Sequence, residues 1–248
     1  MNAIRLFFVI FIIPTFLYSN EAESRFSIML NGNYGTNWGI SDAMQGSSDV
    51  FINDLSKDYN NKSFPFGDDD ASSMNIGLQL TYKYKESPFS SFLSLNFYNF
   101  NIDKKLENSS RNSRVDLNVI SITPGLEYLI GDVKNLLNFF GRFGLSMNII
   151  SGKVDYFMVT EVNPAFRIGG EFEIGCRLNI PDSKLSVEIS SVLVATNVIG
   201  KSYNKFDISP PWPLNSRDLN DGKNPDNNND AERNITFISL RLGVRYRL

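Results

Sequence analysis

The sequence predicts an all-β protein, an eight-stranded antiparallel up-and-down barrel, and three observations lead to this fold class. Segments of roughly ten or more residues, the length of a membrane-spanning strand, alternate between apolar and polar side chains, as in residues 166–180, FRIGGEFEIGCRLNI. Helical periodicity is nowhere comparably strong. Long and short connections also alternate along the chain. Because successive side chains of a strand point to opposite faces, each segment has one apolar and one polar face.

The alternating segments are taken in chain order. The first four are residues 25–40, 74–84, 89–100 and 115–130. The second four are residues 138–150, 166–180, 184–194 and 234–248. In the fourth segment, Val115, Leu117 and Val119 lie on the opposite parity from Ile120 and Ile122. This change of parity predicts a bulge or an early bend at the start of that strand.

The connections predict how the barrel is oriented. Short turns carry KESP, GDVKNL and PDS, whereas longer segments cover about 41–72, 103–113, 152–164 and 196–233. Transmembrane barrels have short periplasmic turns and long extracellular loops. A two-residue turn at Glu86–Ser87 predicts that Leu80 faces Leu93. A second one at Asp182–Ser183 predicts that Arg177 faces Glu188 inside the barrel.

The alternation alone does not decide whether the apolar face points outward to lipid or inward, as in a soluble lipocalin. Aromatic residues gather on the apolar parity at both ends, for example Tyr84, Phe89 and Tyr128 near short turns and Trp38 and Phe166 near long loops. Such rings are favoured at the two membrane interfaces. The polar parity mixes Gly, Ser, Asn, Glu and Arg, as a hydrated or salt-bridged interior would. The transmembrane orientation is therefore favoured.

Three stretches, ISITPGLEYLIG, FFGRFGLSMNIISG and the closing LGVRYRL, resemble the outer-membrane β-barrel domain family. The whole mature chain is similar to the small eight-stranded barrels of the OmpA/OmpX type. In that family, a final alternating strand with a terminal aromatic residue is the assembly signal; here Leu248 is last and Tyr246 precedes it. The resemblance implies an outer-membrane location. It implies little about function, because members include adhesins, structural anchors and accessory parts of secretion machines.

The first residues are expected to form an export signal. They combine Arg5, an apolar run from Leu6 to Leu17, and a cleavage site after Ser19. The alternative is an uncleaved membrane anchor. We expect a signal peptide over residues 1–19 and the outer-membrane barrel over residues 20–248.

The composition argues against several classes of function. The chain has 248 residues, a formal net charge of -3, one cysteine and no histidine. Without histidine, the commonest general base and metal ligand are missing, together with every Ser-His or Cys-His pair. The near-neutral charge gives no clustered basic surface for nucleic acid. We expect no enzyme activity, no cofactor, no metal site and no nucleic-acid partner.

Charged side chains on the polar parity are expected to meet inside the barrel. The proposed interior charge network comprises Arg142, Glu171, Glu173, Arg177, Glu188, Arg241 and Arg245. The same parity also carries Lys83, Glu127, Arg167 and Arg247. These groups form either a selectivity lining or a salt-bridged plug. The plug is favoured, because eight strands leave an interior that side chains just fill and because buried charges need partners.

Three loop features are candidates for contacts with a partner. Asp68–Asp70 and the stretch DLNDGKNPDNNND, residues 218–230, are rich in oxygen ligands, but the second lacks the spacing of a calcium-binding loop. It is expected to be a solvated, turn-rich segment. Trp212, between prolines in SPPWPL, is either a partner-binding anchor or folds back over the barrel mouth. Cys176 is expected to face lipid as an inert small residue.

The function predicted from these features is that of a monomeric outer-membrane barrel with a side-chain-filled core, in contact with outer-membrane lipids. It acts through its extracellular loops on an unknown protein or surface ligand, as an adhesin-like, accessory or structural protein. The first alternative is a narrow solute or ion channel, and the second is a component of secretion machinery. Replacement of Lys205–Asp230 by a short Gly-Ser link is expected to leave a folded barrel, because loop closure depends weakly on loop length.

Overall fold

The fold is seen in a computed structural model, which describes residues 25–36, 71–105, 112–131, 135–155, 159–202, 216–219, 221–223 and 235–248. The strands are β1 Phe26–Thr36, β2 Ala71–Lys83, β3 Phe89–Lys105, β4 Asn112–Ile130, β5 Leu137–Asp155, β6 Val159–Asn179, β7 Leu185–Ile199, β8 Ser216–Arg217 and β9 Thr236–Arg247. Within these ranges, no helix is both long and apolar enough to span a bilayer.

Eight of the strands close into one barrel. Each long strand pairs antiparallel with its neighbour in the sequence, β7 pairs with β9, and β9 pairs with β1 to complete the circle. The two-residue strand β8 lies outside this circle and pairs parallel with β6 at Glu161 and Val162. The predicted fold class, an up-and-down antiparallel barrel, is confirmed.

Two tight turns set the register at one end of the barrel, which we call the turn end. The Tyr84 amide donates to the Phe89 carbonyl oxygen at 3.3 Å, and the Ile180 amide donates to the Leu185 carbonyl oxygen at 3.1 Å. Glu86 and Asp182 have positive φ angles of 53° and 56°, the left-handed conformation that such turns use. Both register predictions are confirmed, because Leu80 lies opposite Leu93 and Arg177 lies opposite Glu188.

Several strands run further than the alternation predicts at the opposite end, which we call the loop end. β3 continues to Lys105, β5 ends at Asp155, β6 begins at Val159 and β7 ends at Ile199. The predicted connections over about 103–113 and 152–164 are therefore wrong in their bounds. Apolar alternation stops where the outward side chains become polar, but the backbone hydrogen bonds of the ladder do not depend on side-chain polarity and continue.

The bulge predicted at the start of the fourth strand is wrong. β4 pairs with β3 without a register shift, and Leu117 and Val119 are fully buried inside the barrel. Irregularities occur instead between β5 and β6 near Ile150–Gly152, and between β6 and β7 near Ile168–Gly170. The first of these gives β6 an extra residue at Pro164, which suits proline because a bulge position needs no ladder amide donor.

The two faces of the barrel wall differ sharply in polarity. On β2, Leu78 is 50% exposed on the outside, whereas its neighbour Gln79 is fully buried inside. The same alternation holds around the barrel, and large apolar side chains are exposed on the outside of all eight strands. Examples are Leu30, Ile76, Leu95, Ile122, Phe143, Phe172, Ile189 and Leu242.

Candidate functional site in the barrel interior and its mouth

Four carboxylates and four guanidinium groups meet in the middle of the barrel, all of them buried. They are Glu127, Arg142, Glu171, Glu173, Arg177, Glu188, Arg241 and Arg245. We call these eight residues the central charge cluster. It unites the seven residues that the sequence singled out with Glu127, and its formal charges sum to zero. Alternation on β4, β5, β6, β7 and β9 turns every member inward.

Glu188 and Glu127 each form ion pairs with three arginines of this cluster. The Glu188 carboxylate accepts hydrogen bonds from Arg142 Nη2 at 2.5 Å, from Arg177 Nε at 2.6 Å and from Arg245 Nε at 2.6 Å. Glu127 pairs with the same three arginines, at 2.7 Å, 2.8 Å and 3.4 Å respectively. Planar guanidinium groups suit such shared pairing, because each presents several donors in a fixed fork.

The other two carboxylates join β6 to the final strand. Arg241 Nη1 lies 2.7 Å from Glu171 and 2.8 Å from Glu173. Glu173 also accepts from Arg142 Nη1 at 2.9 Å and from the Ser190 hydroxyl at 2.5 Å. In a medium of low dielectric constant, charges are tolerated only when they are paired in this way.

Two contacts link the cluster to the seam between the first and last strands. Arg241 Nε donates to Asn33 Oδ1 at 3.0 Å, and Arg245 Nη1 donates to Ser27 Oγ at 2.7 Å. Asn33 and Ser27 lie on β1, and the two arginines lie on β9. The charge cluster therefore binds across the position where the barrel closes.

An apolar layer separates the central charge cluster from the loop end. Its members are Tyr98, Phe100, Leu117, Val119, Ile150, Val162, Val192, Val194, Leu219, Ile235 and Phe237, with Ala165 packed against them. The Phe237 ring centroid lies 4.8 Å from that of Phe100 and 5.2 Å from that of Tyr98. An ion entering from this end would have to lose its water against these side chains.

Part of the last long connection docks in the mouth of the barrel. Leu219 is fully buried in the apolar layer, and Asp221 is fully buried beside it. Arg167 donates to both carboxylate oxygens of Asp221 at 2.8 Å, and Asn197 Nδ2 donates to the same carboxylate at 2.8 Å. The expectation that residues 218–230 are simply solvated is therefore wrong for this part. Arg167 and the apolar layer hold this segment in place, although most of these residues are distant from it in the sequence.

A molecule with these two faces requires a lipid environment. A continuous apolar wall outside a paired, charged interior would be unstable in water, and a closed barrel satisfies its own backbone groups in a bilayer. The polar and apolar faces are thus in the transmembrane arrangement and not in the soluble one. The protein is an outer-membrane β-barrel. This confirms the location and the orientation of the faces that the sequence predicts.

Comparison with known proteins gives similarity only to solved structures. No family model matches the sequence, and no curated protein matches it. The crystal structure of Neisserial surface protein A (NspA) covers 92% of this chain and 100% of its own, with 12% sequence identity and a TM-score of 0.49. Ail, the attachment invasion locus protein of Yersinia pestis, solved in complex with the heparin analogue sucrose octasulfate, covers 90% and 99%, with 10% identity and a TM-score of 0.43.

The remaining candidate residues are distributed over the molecule. Arg247 is half-buried at the turn end and donates to the Ser183 carbonyl oxygen at 2.8 Å, while Lys83 is also half-buried near that end. Cys176 lies on the outward parity opposite Ile189. Trp212, together with Trp38 and Asp68–Asp70, lies outside the described residues. Within the described ranges, no group of three His, Cys, Asp or Glu side chains is placed to hold a metal ion.

Proposed function

We propose that this protein is a cell-surface interaction or structural protein whose barrel is a closed support for its extracellular segments. The filled interior is the observation that supports this proposal. The central charge cluster occupies the middle of the barrel, and its members neutralise one another. The apolar layer and the docked Leu219–Asp221 segment lie above it.

A channel is the alternative, and the pairing of the charges argues against it. A selectivity lining must leave charges available to a passing ion, whereas each arginine of the cluster is bonded to at least two carboxylates. We expect purified protein in planar bilayers to give no stable conductance. A reproducible open channel would overturn the closed-barrel part of the proposal.

Function is then proposed to reside in the segments that extend from the loop end. Within these segments, Trp212 is the proposed contact residue, because a large aromatic side chain between prolines is a rigid anchor for a partner. The acidic and Asn-rich residues of the same connection are proposed to contribute polar contacts. We propose an adhesin-like or accessory role for a monomer, with no catalytic step.

The experiment must leave the docked segment intact, and two matched replacements do so. In one variant, residues 205–215, which include Trp212, are replaced by a Gly-Ser link. In the other, residues 224–230 are replaced in the same way. Both retain Leu219 and Asp221, so both should fold and migrate faster on gels when unheated. Cross-linked partners recovered from intact cells should be lost with the first replacement. Folded protein that keeps every partner in both variants would place the interaction surface elsewhere.

A further inference from the structure

The outer wall of β3 to β6 carries a polar groove of about 600 Å³ at the loop end. Six of the side chains that line it are Asn101, Asn118, Ser151, Lys153, Glu161 and Pro164. We call this feature the outer groove. It opens on the outer face of the wall, since these residues lie on the outward parity of their strands, and Val162 of the apolar layer also lines it.

Cross-strand rows give the height of the groove relative to the lipid. The row Phe97, Ile120, Ile149 and Phe166 is the last apolar row on this side of the wall. The next outward row is Asn99, Asn118 and Ser151, and the row beyond it is Asn101, Asp116, Lys153 and Glu161. Two residues advance a strand by about 7 Å, and strand tilt of about 40° reduces this to about 5 Å of height. The two rows therefore lie about 5 Å and about 10 Å above the last apolar row, so the groove begins within the headgroup layer, which extends about 5–8 Å beyond the hydrocarbon core, and reaches just above it.

A bulge shapes the groove. The extra residue that β6 carries near Pro164 changes the direction of the strand between Val162 and Ala165. Pro164 is exposed and places an apolar ring beside the amide and hydroxyl groups. The wall at this point is thus concave and has both polar and apolar surface.

Neutral hydrogen-bonding groups dominate the chemistry of the groove. Asn99 Nδ2 donates to Asn118 Oδ1 at 2.9 Å, which fixes the orientation of the Asn118 amide. Asn101 Oδ1 is buried and accepts no hydrogen bond within the described residues. Lys153 lies between Asp116 and Glu161 on neighbouring strands, so the local charge is close to neutral and slightly negative.

We propose that the outer groove binds the sugar headgroup of a glycolipid in the outer leaflet. Sugar hydroxyls both donate and accept, as amides and Ser151 do, and Pro164 can pack against the C–H face of a sugar ring. A bare phosphate headgroup fits less well, because a single lysine between two carboxylates offers it no net positive charge. The volume is in the range of about 300–1,000 Å³ that small-ligand sites occupy. The sideways opening at headgroup depth favours a membrane glycolipid over a soluble polysaccharide.

The test uses the full-length protein in nanodiscs of phospholipid mixed with a diacylglycerol that carries a neutral disaccharide. Native mass spectrometry after detergent release measures which lipid remains bound. The wild-type protein should retain the glycolipid in preference to phospholipid. The double variant N101A/N118A should lose about tenfold of this preference, the effect of removing two polar contacts. The control variant K223A changes an exposed side chain outside the groove and should behave as wild type.

Each outcome decides the proposal. Equal retention of glycolipid and phospholipid by the wild type would overturn it, as would an unchanged preference in N101A/N118A. A third arm adds the free disaccharide to phospholipid nanodiscs. If the protein binds the free disaccharide as well as it binds the glycolipid, the assignment to a membrane lipid is wrong. Heat-modifiable mobility verifies folding, and the single variants N101A and N118A replace the double variant if it does not fold.

Discussion

Loss of the Asp221 carboxylate should destabilise the barrel although Asp221 belongs to a connection and not to a long strand. The change Asp221→Ala leaves the guanidinium of Arg167, a residue that is only 6% exposed, without its only ion-pair partner in the described residues. Removing one partner of a buried ion pair costs about 3–5 kcal/mol. Arg167 keeps the Ser202 hydroxyl at 2.9 Å and the Leu219 carbonyl oxygen at 3.3 Å, so we expect the lower end, about 3 kcal/mol.

Two further variants distinguish the effect of an unpaired buried charge from a general effect of changing this segment. The double change Arg167→Met with Asp221→Leu removes both charges and should cost less than Asp221→Ala alone, because no buried charge is left unpaired. Lys223→Ala alters an exposed side chain nearby and should change the free energy of unfolding by no more than about 0.5 kcal/mol.

The measurement is urea unfolding of the barrel in lipid vesicles, followed by the fraction of protein that keeps its faster mobility without heating. Limited proteolysis of the folded protein provides a second readout, since an undocked segment should be cut sooner. An unfolding free energy for Asp221→Ala within about 0.5 kcal/mol of wild type, with unchanged proteolysis, would refute the docking of this segment in the mouth.

Five other variants test the interior and the wall by the same unfolding assay. Glu188→Gln should lower the free energy of unfolding by about 3–5 kcal/mol, because Glu188 pairs with three arginines. Glu171→Gln should lower it clearly less, because Glu171 pairs with one arginine. Equal losses would contradict this contact pattern. Combining Arg177→Met with Glu188→Gln restores a neutral cluster and should cost less than Glu188→Gln alone, and a larger cost would show that charge balance is not the controlling factor. Gly125→Ala should destabilise the barrel by about 1–3 kcal/mol, because the added methyl group would meet a backbone oxygen of β5 and an aromatic ring. The matched change Gly141→Ala has space for the methyl group and should be neutral. Equal effects of the two changes would argue against close packing at Gly125.

The strands, their faces and two turns could be predicted because the signals are local. A period of two and a tight turn fix the register of neighbouring strands without knowledge of the rest of the molecule. The pairs Leu80–Leu93 and Arg177–Glu188 follow from this reasoning. The strand ends at the loop end could not be located in this way, because the outward side chains change from apolar to polar before the ladder ends.

The misassigned bulge in β4 shows where the local signal is misleading. The prediction assumed that apolar residues face outward along the whole strand, whereas the interior itself changes from charged to apolar towards the loop end. A signal for this change was present in the sequence. Apolar residues occur on the inward parity at the loop ends of β3, β4, β7 and β9, for example Phe100, Leu117, Val194 and Phe237. Their coincidence in several strands indicates a shared interior layer.

The docking of Asp221 could not be predicted from strand periodicity, because it depends on a contact 54 residues away in the sequence. A comparison of the inward-facing positive and negative charges would have indicated this contact. Arg142, Arg177, Arg241 and Arg245 are balanced by the four inward glutamates, and this leaves Arg167 as a deeply buried cation that needs another carboxylate. A connection at the same end of the barrel is the natural source of that carboxylate.

The order of the charges along the chain has a consequence for assembly in the membrane. Strands β4 to β7 carry all four glutamates of the central charge cluster but only Arg142 and Arg177, so a barrel wall that lacks β9 encloses two uncompensated negative charges. Arg241 and Arg245 arrive with the final strand, and they also bond to Asn33 and Ser27 of the first. Electrical neutrality and closure of the wall are thus reached in the same step. A half-inserted intermediate would hold unmatched carboxylates next to hydrocarbon, and the arrival of the last strand removes this penalty.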